Sequence, residues 1–204
     1  MKLNIEKKLY EQIGFNEKNL RLLEVYVSEV LKFNKKYNLI AKSTEKDIWN
    51  RHVLDSAQIL RLIELKDNKS LADLGTGGGF PGLVLAIMNS NNNFHVKLYE
   101  KSKVKCQFLK EIIKKLNIRC RVFDNDYQSH IIDSDYIVCR AFKKLPELLR
   151  ISREKIEKPH KLIVLKGKNA QAEIDNALRV CSFKYKLISS VTDEKSKILL
   201  VYAR

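Results

Sequence analysis

The sequence predicts an α/β protein: a mostly parallel seven-strand sheet ending in an antiparallel hairpin, preceded by a helical segment. Three observations predict it. From Ser70 onward short apolar runs alternate with helix-length amphipathic stretches, which calls for a parallel sheet with helices on both faces. After Cys181 two apolar runs are joined only by Val191-Thr192-Asp193-Glu194-Lys195, too short for a crossover, so that pair is antiparallel. Before Ser70 apolar residues recur at three- and four-residue spacing.

The elements follow in order. Leu20, Leu23, Val27, Val30 and Leu31, extended by Phe33 and Tyr37, form one apolar stripe. Ile48, Trp49, Val53, Ala57, Leu60 and Ile63 form a second amphipathic helix, and Lys66-Asp67-Asn68-Lys69 breaks it as a polar connector. Strands are expected near 70–75, 94–100, 118–123, 135–141 and 160–166, with helices near 81–90, 103–117, 144–157 and 169–180. Phe183 to Ser189 and Ile198 to Tyr202 complete the sheet. The expected division is a helical extension over 1–69 and a sheet domain over 70–204.

Composition narrows the function classes. A chain of 204 residues with 45% hydrophobic and 31% charged residues describes a folded soluble protein. The longest apolar stretch, around Phe80 to Met88, is too short for a bilayer, and residues 1 to 8 lack a signal core, so a cytoplasmic protein without membrane contact is expected. Cys106, Cys120, Cys139 and Cys181 are widely spaced, as are the four histidines, so neither a disulfide framework nor a metal site is expected. The net charge of +15 favours a polyanionic partner, although lysine-rich composition alone also produces such an excess.

The chemistry concentrates in Leu71-Ala-Asp73-Leu-Gly75-Thr-Gly77-Gly78-Gly79-Phe80-Pro81-Gly82. A strand ends at Asp73, a glycine turn follows, and Pro81 starts a helix. Glycines let a backbone approach a ligand where a Cβ would collide, and a nucleotide-like cofactor is expected there. Gly77-x-Gly79-x-x-Gly82 with Glu100 matches the dinucleotide pattern in letters, which keeps a nicotinamide or flavin enzyme in view. Its register is wrong, because Gly75 takes the post-strand place and the third position counted from it is Phe80. Asp73 suits an amino-acid moiety better than a pyrophosphate. Five parallel strands closing with an antiparallel hairpin form the Rossmann-like topology of class I S-adenosylmethionine-dependent methyltransferases. In that setting Gly75, Gly77, Gly78 and Gly79 approach the cofactor, Asp73 faces its cationic end, and Glu100 accepts both ribose hydroxyls.

Asp73-Leu-Gly-Thr-Gly-Gly-Gly-Phe-Pro-Gly82 resembles the loop of the small-subunit ribosomal RNA guanine-N7 methyltransferases, the methyltransferase G family. Three further motifs in the same order are similar to that family: Tyr37-Asn38-Leu39-Ile40 with Arg51-His52-x-x-Asp55-Ser56, then Cys139-Arg140-Ala141-Phe142, then Leu165-Lys166-Gly167-Lys168. The chain departs from the family's Gly-Arg-Ala-Glu at Asn125-Asp126-Tyr127-Gln128, where backbone contacts to adenine remain the expectation. The resemblance implies methyl transfer from S-adenosylmethionine to N7 of a guanine in 16S rRNA, free or within the small subunit or its precursor, with no obligate protein partner. Guanine N7 carries an in-plane lone pair and no proton at neutral pH, so no general base or cysteine nucleophile is required. Positioning then falls to Arg140, His52, Asp55 and Lys166. Arg140 would hold O6, a phosphate or a cofactor carboxylate, and Lys166 an RNA phosphate. His52 and Asp55 would cap the site or serve structure alone; Phe80 would stack on a base or the cofactor, or simply pack; Cys139 reads as packing. The competing readings are a methyltransferase acting on another RNA, DNA or a small molecule, and a basic RNA-binding protein without catalysis.

Overall fold

A computed structural model describes residues 2–124 and 127–203. The chain opens with α1 (Lys2–Lys8), a π-helical turn over Leu9–Ile13, and α2 (Glu17–Asn34). Asn16 caps α2 reciprocally: its side chain accepts from the Asn19 N–H at 2.9 Å, and Asn19 accepts from the Asn16 N–H at 3.4 Å. Leu23, Tyr26, Val27 and Val30 are the buried apolar face of α2, as their spacing requires.

The second amphipathic stretch differs from the regular helix its spacing predicts. It runs as a 3-10 helix over Lys42–Asp47, a π-helical turn over Trp49–Leu54, a short α3 (Asp55–Ala57) and a 3-10 helix over Gln58–Leu62. The wide turn places three consecutive residues, His52, Val53 and Leu54, on the buried side. Ser56 also donates its hydroxyl hydrogen to the His52 carbonyl at 2.5 Å, a side-chain bond that competes with the helical ladder.

The sheet contains β1 (Ser70–Leu74), β2 (His95–Tyr99), β3 (Arg121–Phe123), β4 (Tyr136–Arg140), β5 (His160–Lys166), β6 (Lys184–Ser189) and β7 (Lys197–Ala203) in the order β3-β2-β1-β4-β5-β7-β6. The first five pair in parallel, and β7 pairs antiparallel with both β5 and β6, so the terminal hairpin is as the short connector dictates. The helices α4 (Gly82–Met88), α5 (Lys103–Leu116), α6 (Leu145–Lys155) and α7 (Ala170–Leu178) sit between strands within a few residues of their expected bounds.

Every residue of α4 is buried. The helical extension covers its outer side while the sheet covers its inner side, which is why its sequence is apolar all round. One apolar cluster accordingly runs from Ile5 and Leu9 through Phe80 and Leu83 to Leu200. The strand order reverses between β1 and β4, and their carboxyl ends open a crevice at that point.

Candidate active site

A cleft of about 1120 Å³ lies at the carboxyl ends of β1, β4 and β5. Its wall includes Gly75, Gly77 and Gly78, Arg140 to Lys144, Leu165 to Gly167, the 39–41 turn, His52, Asp55 and the tip of the β6–β7 hairpin.

Most of the loop glycines make room for the protein itself. A Cβ on Gly75 would stand 2.2 Å from the Phe142 ring, one on Gly78 3.2 Å from Leu39 Cβ, and one on Gly79 2.6 Å from the Tyr26 hydroxyl. Gly77 differs. At φ +60° its missing Cβ points into open space, with nothing nearer than 4.0 Å. A backbone bared toward an open cleft fits a cofactor's polar, nucleotide-like portion, so the residues present fit the group the sequence calls for.

Beneath the loop lies Asp73, fully buried. Its Oδ2 accepts from the Thr76 hydroxyl at 2.6 Å and from the Gly82 N–H at 2.7 Å, clamping both ends of the turn. Burial raises its pKa to about 6, against the lowering pull of those two bonds and of Arg140. Its Oδ1 has no hydrogen-bond partner among the described residues. Glu100 follows β2, with Oε2 accepting from the Gly77 N–H at 2.9 Å and Oε1 from the Ser102 N–H at 2.8 Å. Each oxygen keeps a further lone pair, and the two backbone donors fix the carboxylate's orientation. Asn125 and Asp126 lie outside the described residues. Tyr127 is buried, edge-on to Phe142 at 5.3 Å.

Arg140, His52, Asp55 and Phe80 converge on one side of the cleft. One Arg140 nitrogen donates to the Arg51 carbonyl at 2.8 Å and another to His52 Nδ1 at 2.5 Å, while the guanidinium lies 5.5 Å from the Phe80 ring centroid. Because Nδ1 accepts, Nε2 carries the imidazole proton. Nε2–H donates to Thr44 Oγ1 at 2.8 Å, and the Thr44 hydroxyl donates to the Ala41 carbonyl at 2.7 Å. Burial first, then Arg140 and Arg51, hold the His52 pKa near 3, so the ring is neutral. Asp55 stands 3.9 Å from Arg140. Burial raises its pKa; Arg140, Thr192 and Gln58 pull it back.

Lys166 lies apart from that group, donating to Glu173 Oε2 at 2.6 Å. Phe80 is 3% exposed, packed on Tyr26 at 5.1 Å and His52 at 5.0 Å. Cys139 is fully buried and its thiol is pushed up to about 12 by burial, so it is held as the neutral thiol.

Several participants are invisible to motif reading. Tyr26 donates to the Gly78 carbonyl at 2.6 Å, tying α2 to the glycine loop. The available signal was a tyrosine inside an apolar stripe, since a buried phenol needs a partner. Gln58 donates to Asp55 Oδ1 at 2.8 Å and to Ser190 Oγ at 3.0 Å, and accepts from the Val191 N–H at 3.0 Å. Thr192 donates to Asp55 Oδ1 at 3.3 Å. Nothing in the local sequence of the 191–195 connector announces that docking. We expect Tyr26→Phe, which keeps the ring and strands the Gly78 carbonyl, to cost about 1–2 kcal/mol in urea unfolding. A change of only a few tenths would show that this bond does not hold the loop.

Comparison with known proteins agrees with this geometry. The family described as rRNA small subunit methyltransferase G matches residues 19–200. A protein named ribosomal RNA small subunit methyltransferase G from Pelagibacter ubique is 35% identical over 181 residues, covering 86% of this chain and 84% of that protein. One of the same name from Rickettsia akari is 36% identical over 179 residues, covering 88% and 91%. Among solved structures, a SAM-dependent methyltransferase from Aquifex aeolicus superposes with a TM-score of 0.60 at 14% identity, over 86% of this chain and 97% of that one. Aeropyrum pernix fibrillarin with natively bound S-adenosyl-L-methionine superposes with a TM-score of 0.52 at 10% identity, over 68% of each chain. At those identities the structural likeness establishes the fold.

Proposed function

This chain belongs to the rRNA small subunit methyltransferase G family, and on that premise we propose how its residues serve the transfer of a methyl group from S-adenosylmethionine to N7 of a guanine in 16S rRNA. The single observation that carries the reading is the bared backbone at Gly77, in a cleft that Arg140 also lines.

Gly77 and its neighbours hold the cofactor's amino-acid and ribose portion, with Asp73 fixing the loop from beneath. Glu100, preset by Gly77 and Ser102, accepts from the ribose hydroxyls with its spare lone pairs. When bound, S-adenosylmethionine supplies an electrophilic methyl on a cationic sulfur. Guanine N7 has its lone pair in the ring plane and needs no deprotonation, so this chain's task is alignment, worth several kcal/mol as pre-arranged proximity. His52 accordingly acts as a neutral strut between Arg140 and Thr44 and moves no proton. Arg140 commits donors to Arg51 and His52; its remaining N–H groups face O6 or a phosphate, leaving N7 free. Arg51, Lys105, Lys143 and Lys144 rim the cleft and, with a net charge of +15, draw in the RNA backbone. Lys166, paired with Glu173, orients that wall.

Among the described residues no helix is long and apolar enough to cross a membrane. We propose a cytoplasmic location, a reading supported by the family's ribosomal RNA substrate. The substrate is the 16S rRNA, alone or in the small subunit or its precursor. Labelled methyl transfer to naked 16S rRNA, to small subunits and to DNA, with nucleoside analysis of the product, tests the reading. We expect 7-methylguanosine from an rRNA substrate and none from DNA, and Gly77→Asp should abolish both transfer and cofactor binding in calorimetry. Absence of 7-methylguanosine from every rRNA substrate sinks the reading.

A further inference from the structure

We propose that the target guanine is held by its face on the ring of Phe142. Among the described residues three aromatic side chains line the cleft: His52, Phe80 and Phe142. The first two are 6% and 3% exposed and packed against each other, with Phe80 also against Tyr26. Phe142 is the one left partly exposed.

Its position is specified by the backbone. Ala141, at φ +49°, takes the left-handed region that a residue with a Cβ rarely adopts. That turn directly follows the end of β4 at Arg140 and sets the next side chain against Gly75. The fit is close enough that a Cβ on Gly75 would lie 2.2 Å from the ring. Tyr127 makes a T-shaped contact with the ring, at 79° and 5.3 Å between centroids, which helps fix its plane. Part of Phe142 packs on the cluster around Tyr127 and Leu145, and the rest lines the cleft, so its neighbours hold an aromatic surface there.

The chemistry of the reaction favours such a surface. N7 must remain uncovered to receive the methyl group, so edge contact on that side of the base is limited to O6. Stacking grips the face alone and leaves every edge atom free. Taking a base out of its own stack also forfeits stacking energy, which an aromatic partner returns.

The proposal rests on the guanine-N7 reading of the site, and its test separates the two. Phe142→Leu and Phe142→Trp are compared with the unchanged protein by thermal unfolding, calorimetry with S-adenosylmethionine, transfer kinetics on 16S rRNA and binding of an rRNA fragment. We expect Phe142→Leu to remain folded, with an unfolding midpoint lowered by the lost ring contacts, and to bind S-adenosylmethionine within about twofold of the unchanged protein. Its KM for rRNA should rise about 5- to 100-fold, the range that one aromatic–base stack supplies. Phe142→Trp should recover most of that loss, which a role in filling space would not allow. An unchanged KM in Phe142→Leu overturns the proposal, as does a loss of cofactor affinity in the same proportion. If the unchanged protein forms no 7-methylguanosine, the guanine-N7 reading itself fails, and the stacking proposal falls with it if the leucine variant also binds the rRNA fragment unchanged.

Discussion

Replacing Arg140 with alanine is expected to lower kcat/KM for methyl transfer to 16S rRNA by roughly 100-fold or more, about 3 kcal/mol of transition-state stabilisation. Two separate losses add up to that. The alanine removes the donors to the Arg51 carbonyl and His52 Nδ1, so the helical extension loses its bond to the end of β4. It also strips the cation 3.9 Å from Asp55, a carboxyl that burial already pushes toward its neutral form. Arg140→Lys restores a charge for Asp55 without the planar fork, so it should recover stability more than activity. Steady-state kinetics beside urea unfolding separate the two. An alanine variant within threefold of the unchanged protein would remove Arg140 from the reaction.

Asp73→Ala is expected to destabilise the fold by about 3 kcal/mol and to abolish cofactor binding, because the Thr76 hydroxyl and Gly82 N–H lose a shared acceptor in a fully buried place. Asp73→Asn keeps an acceptor and isolates the charge. The pH dependence then has a definite sign. The folded pKa of Asp73, about 6, stands above its ordinary 3.8, so its contribution is complete at low pH and is lost as pH rises through 6. His52 runs the other way: with a folded pKa of about 3 against 6.5, it stabilises fully above 6.5 and loses that contribution as pH falls toward 3. Between about pH 4 and 6 the two oppose each other. Asp73→Asn should therefore steepen the loss of stability on acidification, and His52→Gln should flatten it. Unfolding midpoints across pH 4 to 7 that move together in both variants would refute this assignment.

The sheet was legible because its signals are local. Apolar runs of strand length, helices between them and a connector of five residues each carry their meaning in the chain itself, and all seven strands fall where those signals put them. Local periodicity failed over Ile48 to Ile63, where Ser56 bonds the His52 carbonyl and a π-helical turn replaces a regular helix. The cofactor turn was legible for a related reason, since glycines in succession announce a backbone that must come close to something. What that something is differs from glycine to glycine. Phe142, Leu39 and Tyr26 occupy the space at Gly75, Gly78 and Gly79, and of the four only Gly77 has free space where its Cβ would stand.

By itself, then, the sequence determined the fold class, the strand-end turn and the basic excess, all properties of neighbouring residues or of composition. The tertiary structure decided the roles. Arg140 meets His52 across 88 positions of chain, Tyr26 meets Gly78 across 52, and Gln58 meets the hairpin tip across 133. Such pairings are set by how helices and hairpin pack on the sheet. A buried donor or acceptor takes whichever partner that packing brings within reach, and no spacing in the chain encodes it.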